Sequence, residues 1–134
     1  MTPSTVTLRE IEEAHHKLLP RLRRALQPTC TPTSGVWDRL SAARFLTQEF
    51  APAFRADRDA VARSDQVAPP DADCLWALAE LLDFQQASLA NLARIPQGGC
   101  AFAELVGKFE RAYEAWCAEV EAVLRPAPTA VGHG

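Results

Sequence analysis

Apolar residues recur along this chain every three or four positions, the spacing that places them on one side of an α-helix. The first stripe runs Leu8, Ile11, His15, Leu18, Leu22 and Leu26, with one polar residue at its middle. It opens with a start signal. Thr7 and Glu10 fit a capping box, and Val6 and Ile11 fit the hydrophobic staple around it. Pro20 lies inside the stripe, lacks an N–H, and predicts a kink near residues 16–19. Residues 28–35, PTCTPTSG, form a loop.

The second stripe is Val36, Leu40, Ala43, Thr47, Phe50, Phe54 and Val61, a helix starting near Ser34. Pro52 interrupts it and predicts a bend or a split into two shorter helices. After a loop at 64–72, Cys74, Leu78, Leu81, Leu82, Gln85, Leu89 and Leu92 form the third stripe, capped by Asp71 or Asp73. IPQGG, residues 95–99, is a turn. The fourth stripe, Phe102, Leu105, Val106, Phe109, Tyr113, Trp116, Val120, Val123 and Leu124, is unbroken until Pro126, with Glu104, Lys108, Glu110, Glu114 and Glu121 lying off it. No segment alternates apolar and polar residues as a strand would. The expected fold is all-α: an up-down four-helix bundle with kinked first and second helices, a five-helix variant being the alternative. Residues 1–127 form a single helical-bundle domain and 128–134 a flexible C-terminal tail.

Composition narrows the function classes. The chain has 134 residues, 48% of them apolar and 23% charged, which suits one globular domain and excludes overall disorder. The net charge of -3 gives no reason to expect nucleic acid or an anionic membrane, and the basic cluster Arg21, Arg23, Arg24 is too short to change that. Residues 1–67 are net positive and 68–134 net negative, as two complementary helical hairpins would be. No apolar run is long enough to span a membrane and no secretory signal is visible, so the expected location is cytoplasmic. Cys30, Cys74, Cys100 and Cys117 contain no CxxC spacing. They read as reduced, mostly packed thiols, with Cys74/Cys117 and Cys30/Cys100 as the two pairs that bundle geometry would bring to a common end.

Two polar residues stand where apolar ones belong, His15 and Gln85. Buried polar groups must find partners. One reading pairs them with each other and with the Tyr113 hydroxyl. The other makes His15, Gln85, Tyr113 and Trp116 the lining of a small-ligand pocket. Glu12, His15 and His16 contain two overlapping Glu-x-x-His patterns, and residues three apart share a helical face, so a carboxylate and an imidazole can grip one metal ion. Di-metal bundles need that motif on two helices, and here it occurs once.

IEEAHHKLLPRLRRAL resembles the first helix of hemerythrin-like (HHE) proteins, which place a histidine where His15 stands. FLTQEFAPAF, residues 45–54, and WCAEVEAVLRPA, residues 116–127, are similar to that family's acidic segments that run into an apolar-Pro end. The resemblance spans residues 8–127 and implies a four-helix bundle. It also implies lost iron ligands. The family's helix-four histidine and following glutamate fall on Trp116 and Val120, its helix-two counterparts on Ala42 and Leu46, and its helix-three histidine on Gln85. Only His15 survives, so the resemblance implies a bundle without iron or oxygen chemistry.

No GxxxxGK[ST], GxGxxG, GxSxG or HExxH motif supports nucleotide, hydrolase or zincin chemistry. Trp37, Phe45, Trp76 and Phe84 stand outside the main stripes, and several apolar residues outside a core mark a docking surface. The expected function is a non-catalytic interaction module, an adaptor, chaperone-like protein or regulatory subunit, that binds a protein partner or a second copy through these aromatics. The alternative is a sensor of a small ligand or metal around His15. An enzyme using Glu12, His15 and His16 is the weakest reading. No cofactor is expected, a metal on His15, Glu12 and His16 being the one exception.

Overall fold

Thr7 begins the first helix as its capping pattern requires. The Thr7 N–H donates to the Glu10 carboxylate at 2.9 Å, and the Glu10 N–H donates to the Thr7 hydroxyl at 3.2 Å. This reciprocal pair fixes the start of α1 (Leu8–Leu26). The structure, a computed structural model, describes residues 7–64 and 67–125. Val6 of the expected staple and the expected tail at 128–134 lie outside the described residues. Pro20 is contained within α1, which continues to Leu26.

Pro52 does not split the second helix. α2 (Val36–Phe45) passes into a π-helical segment (Leu46–Phe50) and then into α3 (Ala51–Ala62), giving one helical rod over 36–62. The Ala51 N–H reaches back five residues to the Leu46 carbonyl. A proline ring crowds the carbonyl four residues before it, and the wider π turn makes room there.

That turn also corrects the second stripe. The buried residues of the rod are Arg39, Ala42, Leu46, Phe50, Phe54 and Val61. Val36, Leu40 and Ala43 are only half-buried and Thr47 is exposed. A π turn holds one residue more than an α turn, so the inward face before it is displaced by one position from the face that Phe50 and Phe54 define after it.

α4 (Pro69–Ala93) begins before either aspartate predicted to cap it. Ala68 is the N-cap, and Pro69 and Pro70 fill the first helical positions, where a missing N–H is harmless. α5 (Gly99–Leu124) follows a short turn. Gly99 is required there, because a methyl group would collide with the Pro32 carbonyl. The described residues are thus all-α and form a bundle of four helical rods.

Side-chain pairs give the directions of these rods. Glu12 with Arg125, His15 with Glu121 and Arg23 with Glu114 run in opposite order along α1 and α5. Arg21 with Glu49 and His15 with Asp57 do the same for α1 and the second rod. The core between them is apolar and aromatic. Phe50 stacks on Phe54 at 5.5 Å and meets Phe109 and Tyr113 edge-on at 5.2 and 5.1 Å, arrangements that suit the ring quadrupoles.

At the end of the bundle holding the 31–35 and 94–98 turns, the buried cation Arg39 takes the place of an apolar residue. Its Nη1 donates to the Ser34 carbonyl, and its Nη2 donates to the Ile95 carbonyl at 2.8 Å. Arg39 therefore clasps the turn before α2 to the turn before α5. All four cysteines are free. Cys117 is buried, but Cys30, Cys74 and Cys100 are exposed, so the expectation of mostly packed thiols holds for one of them and neither pairing is formed. Among the described residues no helix is long and apolar enough to cross a membrane.

Candidate functional site

His15 faces inward because it sits four residues after Ile11 and three before Leu18, both buried on the same side of α1. Its two ring nitrogens are both engaged. Nδ1 lies 2.8 Å from Glu121 Oε2, and Nε2 lies 2.9 Å from Asp57 Oδ2. The Trp116 indole N–H donates to the same Asp57 oxygen at 2.7 Å. The Tyr113 ring stands edge-on to the imidazole, with centroids 6.3 Å apart. α1, α3 and α5 therefore meet on one polar chain: carboxylate, imidazole, carboxylate and indole.

The electrostatics make this imidazole a cation. Burial alone opposes the proton, but the hydrogen bond to Asp57, then Cys117 and Glu121, outweigh it and raise the His15 pKa from 6.5 to about 11. With the ring protonated, each N–H donates to a carboxylate. One positive charge lies between two negative ones, an arrangement that satisfies a buried ion on both sides. The Tyr113 phenol is pushed upward, first by burial and then by its neighbour Cys117, and stays protonated.

The structure brings together three of the four residues expected to line a pocket. His15, Tyr113 and Trp116 share the centre. Gln85 is buried on α4, and its Oε1 has no hydrogen-bond partner among the described residues. The pairing of His15 with Gln85 is therefore not formed, because Asp57 and Glu121 take both imidazole nitrogens. Glu12 turns instead to Arg125 at 3.3 Å, and His16 is exposed. Among the described residues no group of three His, Cys, Asp or Glu side chains is disposed to hold a metal ion. The reason is visible at His15: its carboxylates sit on opposite edges of the ring and do not converge.

Asp57 and Glu121 are the site residues that the helical stripes passed over. Asp57 lies three after Phe54 and four before Val61, in the gap left between two apolar positions. Glu121 lies four after Cys117 and three before Leu124, on the flank of the fourth stripe. A polar residue at a gap in a stripe is the signal that could have found the first. Beside the centre, Ala14, Ala53, Ala56 and Ala60 line a groove of about 240 Å³ that reaches His15 and Tyr113.

The expected aromatic surface is divided. Trp37 is 82% exposed, Phe84 70% and Trp76 64%. Phe45 instead packs partly against the core, under the guanidinium of Arg21 at 5.8 Å. Trp37 shares a groove with Ala90 and Arg94 near the end of α4, whereas Trp76 lies near its start, so the two indoles occupy opposite ends of the bundle. What α4 presents is a stripe of its own. Cys74, Ala77, Leu81, Phe84 and Asn91 are exposed, spaced by three and four around a half-buried Ser88, and the exposed Ile95 follows just past the helix end.

No family model, no curated protein and no solved structure matches this chain.

Proposed function

We propose that this protein is a non-catalytic interaction module, an up-down four-helix bundle that pairs through the outer face of α4 with a second copy of itself. The observation that carries this reading is a set of large apolar side chains open to water, Trp76, Leu81 and Phe84 on α4 and Ile95 just past its end. Leu81 and Phe84 fall in the row Ala77, Leu81, Phe84, Ser88 and Asn91, whose spacing of three and four is the one by which two helices pack along a seam. An antiparallel pair centred on Phe84 sets Arg94 of one copy beside Asp73 of the other, which adds charge complementarity at both ends. The four free thiols are in keeping with a cytoplasmic setting.

The interior supports the same reading. His15 has no ring nitrogen left for a metal or a substrate, because both bind carboxylates. The hemerythrin-like resemblance belongs to this proposal as a bundle without iron. The positions matched to the family's ligands, Ala42, Leu46, Gln85, Trp116 and Val120, are all buried and carry groups that do not bind iron. The sensor reading draws on the alanine-lined groove at His15, where a ligand would have to displace Asp57 or Glu121.

Light scattering after size exclusion tests the proposal. The wild-type chain is expected to run as a dimer, and Phe84→Glu as a monomer of unchanged helicity. A wild-type monomer across the concentration range, or a dimer that Phe84→Glu leaves intact, overturns it.

A further inference from the structure

A cavity of about 400 Å³ lies between α3, the first turns of α4 and Trp116 of α5. Its interior is apolar: Val61, Val67, Leu75, Ala79 and Trp116 form the walls. Arg55, Arg58 and Asp59 also line it, with the exposed indole of Trp76. The volume falls in the range of small-molecule pockets, which combine apolar walls with a few polar groups.

The two arginines differ in what they have left to offer. Arg58 is committed. It holds Asp83 at 2.7 Å and lies over the Phe54 ring at 5.6 Å. Arg55 is exposed and has no ion pair or hydrogen bond among the described residues. Asp59, one turn further along α3, does not approach it closely enough to form a salt bridge. The cavity therefore combines apolar walls with a guanidinium that has no partner among the described residues, a group that recognises a carboxylate by two parallel N–H donors.

We propose that this cavity binds a small carboxylate with an apolar body, of the size of a medium-chain fatty acid. The chain would lie against Leu75, Ala79 and Trp116, and the carboxylate against Arg55. This site is separate from the α4 pairing face, although Trp76 borders both.

Decanoate is the probe, with decanamide as its uncharged counterpart. Trp76 and Trp116 both line the cavity while Trp37 lies elsewhere, so tryptophan emission reports occupancy, and the melting temperature reports stabilisation by a ligand that binds the folded state. Decanoate is expected to give a saturable emission change and a rise in Tm, with decanamide binding about tenfold more weakly. Arg55→Gln is expected to erase that preference. Ala72→Trp, at the rim, is expected to block both ligands. Phe84→Glu, which breaks the proposed pairing face, is expected to bind decanoate as the wild type does. No saturable change, equal binding of the two probes, or full binding by Ala72→Trp overturns the proposal. Loss of binding in Phe84→Glu also overturns it, by assigning the response to the α4 face.

Discussion

Trp116 and His15 meet on a single atom, the Oδ2 oxygen of Asp57, at 2.7 and 2.9 Å. The aspartate takes an indole N–H from α5 and an imidazole N–H from α1 on one lone-pair-bearing oxygen, and its place on α3 makes it the junction of three helices. Trp116→Phe keeps most of the ring packing and removes one donor to this buried carboxylate. The expected cost is about 1.5–3 kcal/mol, the range for a hydrogen bond to a charged group, read from the urea midpoint.

His15→Leu tests whether the imidazolium is dispensable. The leucine fits the apolar stripe of α1 but leaves Asp57 and Glu121 without their shared cation. Removing one partner of a buried ion set costs about 3–5 kcal/mol, so urea denaturation is expected to show marked destabilisation. A variant as stable as the wild type would mean that the carboxylates are satisfied without it.

The same residue sets a pH dependence. Its pKa rises from 6.5 to about 11 on folding. A proton held more tightly by the native state stabilises it fully below the unfolded pKa, and this contribution is lost as pH climbs through the folded one. Between pH 6.5 and 11 the wild-type urea midpoint is expected to fall. His15→Gln is expected to fall less over the same interval, and the difference between the two curves isolates this group from other titrating residues.

Two glycines give a contrast in backbone clearance. Gly99→Ala places a methyl group against the Pro32 carbonyl, which is backbone and cannot swing aside. A loss of about 1–3 kcal/mol is expected, as for other overpacked sites. Gly35→Ala meets nothing within 4 Å and changes only the N-cap of α2, so its effect on thermal unfolding is expected to stay within about 1 kcal/mol.

Arg39→Met removes the clasp between the turns while keeping much of the buried volume. It leaves the Ser34 and Ile95 carbonyls without this donor, at an expected cost of about 2–3 kcal/mol. Hydrogen exchange should accelerate in the segments around residues 34 and 95, with less effect at the His15 end.

The helical pattern made much of this fold legible. The stripes of α1 and α5 match their buried faces, and the Thr7 cap forms as written. The second rod was not legible in the same way. Helical spacing run back from Phe50 leads to Thr47, Ala43 and Leu40, whereas the π turn puts Leu46, Ala42 and Arg39 inside. A rule built on a constant turn cannot see a change of turn. The polar centre was half legible for a related reason. His15 stood out because apolar residues flank it on both sides. Asp57 and Glu121 look like ordinary surface acids until the helices are assembled, since their partner lies 42 and 106 residues away in sequence. The docking surface was over-read, because exposure off a stripe says nothing about which end of the bundle a side chain occupies.

The separation of His15 from Glu121 also bears on synthesis. A chain emerging from the ribosome presents His15 and Asp57 well before the last helix exists. At about 5–20 residues per second, several seconds pass in which the imidazole has one carboxylate at most. The contact that completes the ring's hydrogen bonding is among the last to become available, so a nascent chain stalled before residue 121 lacks the carboxylate that pairs with His15 Nδ1.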